Sequence, residues 1–312
     1  MVVDTILFGD CRETLKEFDG KARTCVTSPP YYGLRDYGGE ESQIGQEQTP
    51  EEYIQNLVEV FRSVRDVLTD DGTLWVNIGD SYYNYRPGKG QALPKQTVSK
   101  TKQDLPDKCA KRGNKLEGLK EKDLIGIPWM LAFALRADGW YLRQDIIWHK
   151  PNPMPESVKD RCTKSHEYIF LLSKNRKYYY NNEAIKEPVK QDWGTRDRTK
   201  GKYHNPGTGL VPHSGLSKSY DRKNKRDVWT VTNKPYKGAH FAVYPPDLIE
   251  PCIKAGSEEG DIVLDPFMGS GTTAVVSKSL NRHHIGCELH EDYGRLIQKR
   301  LSEKSFARLK LE

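Results

Sequence analysis

A glycine-rich turn late in the chain, Asp265-Pro-Phe-Met-Gly-Ser-Gly-Thr-Thr273, has residue types suited to holding a nucleoside. The apolar run at residues 261–265 predicts a short buried strand before the turn, and residues 272–280 predict a helix after it. Gly269 and Gly271 permit backbone angles that other residues avoid and allow a ligand to approach closely. The turn has neither the Gly-Lys-Ser/Thr ending of a phosphate loop nor the strict dinucleotide spacing, which favours a nucleoside without a pyrophosphate.

A carboxylate stands at the end of the next predicted strand, residues 284–288. An acidic residue in this place, here Glu288, commonly binds ribose hydroxyls at the tip of the second strand of a βαβ unit. A βαβ unit with a tight turn and no ligand shows a similar pattern, because glycine-rich turns are common. The late segment by itself therefore leaves both interpretations open.

An early motif, Ser28-Pro-Pro-Tyr31, directly follows a β-branched run that predicts a strand over residues 23–27. Two consecutive prolines fix φ and supply no N–H donors, so their carbonyls can be aimed outward as acceptors. With the Ser28 hydroxyl and the Tyr31 ring, they form a corner suited to an exocyclic amine and the face of a planar base. Taken alone, a surface Pro-Pro turn with an anchoring tyrosine explains the motif as well.

The two motifs, in this order, resemble the β class of S-adenosylmethionine-dependent DNA amino-methyltransferases. In that class the catalytic (S/D)PP(Y/F) motif precedes the cofactor motif, which is a permuted order. The resemblance covers most of residues 4–83, 123–189 and 238–301. The further segments that carry it are Gly9–Leu15, Leu34–Tyr37, Ile44–Pro50, Ile147–Pro155, Ser165–Tyr168 and His240–Pro245.

The resemblance implies S-adenosylmethionine as cofactor, S-adenosylhomocysteine as its product, and no metal. It gives the catalytic role to Ser28, Pro29, Pro30 and Tyr31. It places Asp10 near the adenosine of the cofactor and Phe241 near its methionine part. The implied cofactor-binding residues are Asp10, Phe241, Asp265, Pro266, Phe267, Gly269, Ser270, Gly271, Thr272 and Glu288.

The implied substrate is double-stranded DNA with the target base flipped out of the helix and stacked on Tyr31. In this family Ser-Pro-Pro-Tyr is more often associated with cytosine N4, and Asp-Pro-Pro-Tyr with adenine N6. Ser28 therefore favours cytosine N4, and adenine N6 is the alternative. Two other classes stay open: an RNA or small-molecule methyltransferase on the same sheet, and a DNA-binding module with an inactive site.

Charge is distributed unevenly along the 312 residues. Lys and Arg number 49 against 43 Asp and Glu, and this net charge of +6 is no nucleic-acid signature by itself. Residues 84–122 and 186–238 are rich in Lys, Arg, Gly, Asn and Pro, which suits either phosphate contacts or solvated insertions. In the family that the chain resembles, the order of the motifs implies that residues 186–238 form the target-recognition region. The candidate DNA contacts there are Lys218, Arg222, Lys223, Lys225 and Arg226.

The six cysteines show no paired CxxC spacing, which argues against a metal or disulfide role. Cys252 follows Pro251, but its setting predicts a helix, so it is no nucleophile for methylating a ring carbon. The sequence shows no signal peptide and no long apolar run, which predicts a soluble, intracellular protein. The resemblance implies a cytoplasmic protein of prokaryotic or phage type. A cognate restriction endonuclease and a second copy of the chain remain open as partners.

Periodicity supplies the elements that position these motifs. It predicts helices over residues 51–68 and 127–138 and strands over residues 73–78, 141–148 and 168–173. This alternation predicts a doubly wound, mostly parallel α/β sheet of Rossmann-like type with late antiparallel strands. The catalytic core is predicted in three parts, residues 1–83, 123–185 and 239–312. Both motifs then lie at carboxyl ends of strands, where open α/β sheets bind ligands.

Overall fold

The computed structural model describes most of the chain, namely residues 3–34, 43–83, 116–189, 221–233 and 244–302. These residues belong to two compact units. The larger unit combines Met1–Tyr180 with Asp227–Glu312, and the smaller one is Asn181–Arg226. Phe241, Lys218, most of residues 84–122 and most of residues 186–238 lie outside the described residues.

The larger unit is built on an eight-stranded sheet, in the order β1-β10-β9-β2-β3-β5-β4-β8. Its strands are β1 (Thr5–Phe8), β2 (Ala22–Thr27), β3 (Leu68–Ile78), β4 (Tyr141–His149), β5 (His166–Ser173), β8 (Val228–Thr230), β9 (Ile262–Asp265) and β10 (His283–Glu288). The smaller unit contributes the short pair β6 (Glu187–Pro188) and β7 (Arg222–Lys223). The prediction of a mostly parallel sheet is confirmed, and of the late antiparallel strands expected the described residues show one, β5, which is antiparallel to both of its neighbours.

The helices form two groups that cover the sheet. They are α1 (Cys11–Thr14), α2 (Pro50–Val67), α3 (Ile127–Ala137), α4 (Pro246–Gly256), α5 (Thr272–Ser279) and α6 (Asp292–Ser302). Within one group α2 packs against α1 and α3, and within the other α5 packs against α4 and α6. Neighbouring residues of β2 show the two faces, since Cys25 joins the core of the α2 side while Thr24 lies against Gly256 of α4.

The longest helix shows how local sequence determines these elements. Thr49 caps α2 by accepting a hydrogen bond from the Glu52 amide at 3.2 Å, and the Glu52 side chain reaches back to the Thr49 amide. This capping box and the proline at the first helical position favour a start at Pro50. The buried residues then recur at helical spacing, so α2 lays one apolar face on the sheet. They include Tyr53, Leu57, Phe61 and Val64.

Two features of the sheet were not predicted. Strand β3 begins at Leu68, directly after α2, rather than at residue 73. Strand β8 falls inside the segment assigned to target recognition, residues 186–238, yet it pairs in parallel with β4 in the main sheet. Its three residues alternate exposed, buried and exposed around Trp229, and so short an alternation gives little periodic signal. In the described parts of the chain, no helix is long and apolar enough to cross a membrane.

Candidate active site

One edge of the large sheet collects all the predicted motifs that the structure describes. The parallel strands β10, β9, β2 and β3 are neighbours and end at this edge. Because β5 runs the other way, it begins there, and β4 ends beside it. Along the edge therefore lie Glu288, the turn 265–271, the corner 28–31 and the start of β5. Motifs far apart in the sequence become neighbours through strand order.

Asp265 joins the two motifs directly. The hydroxyl of Thr27, the residue before Ser28, donates to Asp265 Oδ1 at 2.6 Å across a separation of 238 residues. Oδ1 also accepts from the Phe267 amide at 3.0 Å, and Oδ2 accepts from Thr273 at 2.6 Å and Tyr244 at 3.0 Å. The side chain is fully buried, and burial raises the pKa of Asp265 against the opposing hydrogen bonds. Its carboxylate therefore shapes the turn from inside the protein.

The glycine-rich turn is held in shape by α6. Gly271 has φ +80°, and a Cβ there would come 2.9 Å from Cγ2 of Ile297. Arg300 donates to the Ser270 carbonyl at 2.6 Å, to its hydroxyl at 2.7 Å and to the Thr272 hydroxyl at 3.2 Å. The side chains of Ser270 and Thr272 thus face the protein and are buried. This leaves the Phe267 ring and the Gly269 backbone as the partly exposed surface of the turn.

Glu288 ends β10 beside the turn. Its Oε2 accepts from the Gly269 amide at 2.8 Å and its Oε1 from the His290 amide at 3.1 Å. Burial raises the pKa of this carboxyl to about 7, in spite of these hydrogen bonds. Each oxygen has a further lone pair, so the carboxylate has capacity to accept from a ribose diol. The residue therefore fits the predicted cofactor contact.

Asp10 is brought next to Glu288 by the pairing of β1 with β10. The Gly9 amide donates to the Glu288 carbonyl at 2.9 Å, so the two acids follow adjacent strand ends. Asp10 caps α1 and accepts from the Arg12 guanidinium, with a shortest distance of 2.6 Å. Burial opposes ionisation, but the hydrogen bonds from Arg12 outweigh it and lower the pKa of Asp10. Asp10 is therefore ionised in an internal ion pair at the rim of the site.

The raised pKa of Glu288 predicts that the cofactor-free protein loses stability as the pH rises. The carboxyl has an ordinary pKa of 4.5 and a folded pKa of about 7. Between these values the folded state keeps a proton that the unfolded chain has lost, so this contribution is full below 4.5 and lost as the pH passes through about 7. We expect roughly 2–3 kcal/mol across this window in urea unfolding. Glu288→Gln should flatten the dependence, and an identical pH profile in the variant would contradict the assignment.

The corner formed by residues 28–31 is held by α2. The Tyr53 hydroxyl donates to the Pro30 carbonyl at 2.8 Å. Among the residues that the structure describes, none donates to the carbonyl of Pro29. This carbonyl and the Ser28 hydroxyl are therefore the acceptors that the corner can offer to an amine, because proline supplies no competing N–H.

Tyr31 is anchored by groups at the ends of β3 and β5. Its hydroxyl donates to Glu167 Oε2 at 2.7 Å and lies 3.4 Å from Asn77 Oδ1. A Cβ at Gly79 would come 2.7 Å from Cε2 of the Tyr31 ring, so the ring packs closely on that glycine. Burial and the Glu167 carboxylate raise the pKa of Tyr31 well above its usual range. The phenol is therefore neutral and acts as a donor.

Three residues near Tyr31, namely Tyr32, His149 and Lys150, each contact a different partner. The Tyr32 ring lies 5.5 Å from the Tyr53 ring, and its hydroxyl donates to the Gln48 carbonyl at 3.2 Å. Tyr32 therefore packs against α2, which the sequence alone did not predict. Lys150 pairs with Glu167, and His149 Nδ1 lies 3.2 Å from the Thr230 hydroxyl.

The candidate DNA contacts that the structure describes, namely Arg222, Lys223, Lys225 and Arg226, fall in the smaller unit. Lys223 and Arg226 both pair with Glu187, at 3.5 and 2.6 Å. Arg222 donates to the Lys186 carbonyl at 2.9 Å and is exposed. Lys223 and Arg226 thus stabilise the β6–β7 pair, and their charge is partly neutralised before any DNA arrives. Lys225 is half-buried.

Sequence reasoning missed several residues of this edge. Thr27 and Tyr244 bind Asp265, Arg300 binds the turn, and Glu167 binds Tyr31. Thr27 adjoins an identified motif, and Tyr244 and Glu167 lie within the segments His240–Pro245 and Ser165–Tyr168, so their position was a usable signal. Arg300 gives no such signal, since only the packing of α6 brings it to Ser270.

Sequence comparison agrees with this arrangement. The sequence model of the DNA methylase family matches residues 22–299. The type II methyltransferase M.SmaI of Serratia marcescens is 48% identical over 302 residues, which cover 95% of this chain and 90% of that protein. The type II methyltransferase M.Cfr9I of Citrobacter freundii is 47% identical over 298 residues, which cover 95% of this chain and 87% of that protein.

Solved structures share the fold at low sequence identity. The PvuII DNA methyltransferase (cytosine-N4-specific) has a TM-score of 0.61 at 16% identity, over 99% of this chain and 91% of that chain. TTHA0409 of Thermus thermophilus, solved in complex with S-adenosyl-L-methionine, has a TM-score of 0.57 at 22% identity, over 97% and 93%. With both motifs on one sheet edge and a family match along nearly its whole length, this chain belongs to the β-class, S-adenosylmethionine-dependent DNA amino-methyltransferases of type II restriction-modification systems.

Proposed function

We propose that the chain transfers a methyl group from S-adenosylmethionine to the exocyclic N4 amine of a cytosine flipped out of double-stranded DNA. The observation that carries the proposal is the hydrogen bond from Thr27 to Asp265. It joins the corner suited to an amine to the turn suited to a nucleoside. Because the site for the amine and the site for the methyl donor lie on adjacent strand ends, no further group is needed to bring the two reactants together.

Within this proposal the cofactor lies along the ends of β1, β10 and β9. Glu288 accepts from the ribose hydroxyls, and Asp10 lies beside it at the adenosine end. The surface of the turn at Phe267 and Gly269 contacts the cofactor, while Asp265, Pro266, Ser270, Gly271 and Thr272 hold that surface in shape. S-adenosylmethionine supplies an electrophilic methyl group on a sulfonium when bound.

The corner then makes a poor nucleophile reactive. The lone pair of an aromatic exocyclic amine is delocalised into the ring, so the nitrogen is planar and weakly nucleophilic. Acceptance of its N–H groups by the Ser28 hydroxyl and the Pro29 carbonyl favours a pyramidal nitrogen whose lone pair is available. The Tyr31 ring stacks on the flipped base and fixes its orientation. Positioning and electrostatics thus provide the rate enhancement, with no covalent enzyme intermediate, and the amine releases one N–H proton to solvent as it gains the methyl group.

Cytosine is preferred over adenine because of Ser28. The family association of Ser-Pro-Pro-Tyr with cytosine N4 supports it, and the PvuII relative with the same fold is named cytosine-N4-specific. Adenine N6 is the second candidate, since its amine presents the same donors to the same acceptors.

Base analysis of methylated DNA tests the proposal. DNA incubated with the protein and S-adenosylmethionine is digested to nucleosides and measured by mass spectrometry. We expect N4-methylcytosine as the single modified base. Detection of N6-methyladenine would show that the target base is adenine rather than cytosine and would leave the proposed role of the corner unchanged. A methyl group on a ring carbon would overturn the mechanism, because it requires attack by a nucleophile that this corner lacks. A matched incubation with RNA of the same sequence tests the RNA alternative and should yield no product.

The smaller unit, Asn181–Arg226, overlaps the segment that we propose for target recognition, residues 186–238. Basic side chains there would contact phosphates, and Arg222 is better placed for this than Lys223 and Arg226 because those two pair with Glu187. Residues 1–83, 123–185 and 239–312 form the catalytic core in this proposal. A restriction-modification role places the DNA substrate in the cytoplasm, with a cognate endonuclease as functional partner.

A further inference from the structure

A partly buried polar cluster lies at the hydroxyl of Tyr31, and the proposed chemistry of the amine makes no use of its members. We call Asn77, Lys150 and Glu167 the Tyr31 anchor. Asn77 lies near the end of β3, Glu167 near the start of β5, and Lys150 directly after β4. These strands are neighbours in the sheet, with Trp148 of β4 opposite Glu167. Three strand ends thus converge on one side chain of the corner.

Glu167 is the centre of this anchor. Its Oε2 accepts from the Tyr31 hydroxyl at 2.7 Å and from Asn77 Nδ2 at 3.3 Å. Its Oε1 pairs with Lys150. The side chains of Lys150 and Glu167 are only 17% and 15% exposed. Asn77 is held in turn, because Nδ2 also donates to the Tyr168 carbonyl at 3.1 Å.

The anchor is a costly arrangement unless a fixed geometry is needed. A buried ion pair often adds no stability over apolar residues of the same volume, because both charges lose their water. Here both oxygens of Glu167 are partnered, which is the condition for such a network to rigidify its surroundings. Position 79 contributes by lacking a side chain, since a Cβ there would come 2.7 Å from Cε2 of Tyr31 and 3.4 Å from Cδ of Glu167.

We propose that Glu167 is a positioning residue that acts through Tyr31. Tyr53 already holds the backbone of the corner at the Pro30 carbonyl, so rotation of the Tyr31 side chain is the remaining freedom. The hydrogen bond to Glu167 removes that freedom and holds the ring where it receives the base, with Lys150 keeping Glu167 in place. The inference rests on the proposed function in that the Tyr31 ring faces the target base.

A double-mutant cycle tests the proposal by single-turnover transfer of labelled methyl to DNA. Glu167→Met fills the same volume without an acceptor and should slow transfer about tenfold, the value of one hydrogen bond to a charged group. Tyr31→Phe removes the hydroxyl and should slow transfer roughly 3–10-fold. In the Tyr31→Phe background Glu167→Met should add less than about twofold, because the bond is already gone. Affinities for S-adenosylmethionine and DNA should stay within about threefold of wild type.

The conservative variant and a matched control separate positioning from general destabilisation. Glu167→Gln should retain most of the rate, since a phenol can either donate to the amide oxygen or accept from its nitrogen. Asp71→Asn breaks the ion pair of Arg23 near the other end of β2 and β3, and should leave transfer unchanged. Multiplicative effects in the double mutant would overturn the proposal, as would a wild-type rate in Tyr31→Phe, which tests the same bond if Glu167→Met does not fold. Because the assay measures total methyl transferred to DNA, the coupling between Glu167 and Tyr31 can be determined whichever base accepts the methyl group. The proposed function, by contrast, would be contradicted by the identity of the methylated base.

Discussion

Replacement of Asp265 by alanine is expected to abolish measurable binding of S-adenosylmethionine and to destabilise the protein. The carboxylate is fully buried and accepts from Thr27, Thr273, Tyr244 and the Phe267 amide. Its removal leaves the Thr27 hydroxyl and the Phe267 amide without this acceptor, whereas Thr273 keeps the Val26 carbonyl and Tyr244 keeps Thr273 as partners. Each donor left unsatisfied in the interior costs about 1–3 kcal/mol. With partial relaxation we expect a loss of roughly 3–5 kcal/mol in the free energy of unfolding.

Cofactor binding is lost in Asp265→Ala because the turn loses its internal support. The exposed surface of the turn consists of the Phe267 ring and the Gly269 backbone, and Asp265 holds the first of these directly through the Phe267 amide. Urea unfolding measures the stability, and calorimetric titration measures the affinity at a temperature where circular dichroism shows a folded chain. Asp265→Asn keeps the volume of the side chain but points its amide N–H groups at groups that donate to Asp265. We therefore expect an effect between that of wild type and that of Asp265→Ala.

The matched control is Asp261→Asn, four residues earlier, just before β9. Asp261 lies 3.2 Å from Arg23 and is partly exposed, away from the turn. We expect a small change in stability and wild-type affinity for the cofactor. Wild-type affinity in folded Asp265→Ala would contradict the view that this carboxylate organises the turn.

Replacement of Ser28 by alanine is expected to slow methyl transfer by roughly 10–100-fold, with little change in affinity for DNA or cofactor. In the proposed mechanism the hydroxyl accepts from the amine, and this hydrogen bond strengthens as the nitrogen becomes pyramidal in the transition state. An interaction made mainly in the transition state lowers kcat and kcat/KM together. Single-turnover rates and equilibrium affinities on cognate DNA separate the two effects.

Two comparisons sharpen the result for Ser28. Tyr31→Ala removes the stacking surface, worth about 1–3 kcal/mol, and should weaken productive binding of the flipped base as well as the rate. Thr14→Ala alters a buried hydroxyl residue of α1 and should behave as wild type. An unchanged rate in Ser28→Ala would leave the Pro29 carbonyl as the acceptor that matters. A loss of DNA affinity without loss of rate would show that Ser28 serves binding rather than chemistry.

Most elements of the core could be predicted from local sequence. The capping box at Thr49 and the spacing of Tyr53, Leu57 and Phe61 determine α2 through interactions within about one or two turns. The apolar run before Asp265 likewise predicts β9. By contrast, β8 has one buried side chain, Trp229, and exists because β4 offers it an edge to pair with. A three-residue edge strand forms by pairing with its neighbouring strand, and its own sequence gives little periodic signal.

The types of the site residues were readable in the sequence, but the roles of several were not. Asp265, Ser270 and Thr272 belong to the predicted cofactor motif, yet their side chains turn inward to Thr27, Tyr244 and Arg300. A motif records which residues a turn requires and does not distinguish those that touch a ligand from those that hold the turn. That distinction depends on which side of the backbone packs against α6.

The sequence by itself determined the class of this protein, because Ser28-Pro-Pro-Tyr31 and Asp265–Thr273 carry their chemistry in residue types and local backbone restraints. The tertiary structure alone decided which groups those motifs meet. Strand order placed β2 between β9 and β3, and so Thr27 reaches Asp265 while Tyr31 reaches Glu167. Hydrogen bonds between residues so distant in sequence leave no local pattern, since either partner satisfies its own neighbourhood in many ways until the sheet brings the two together.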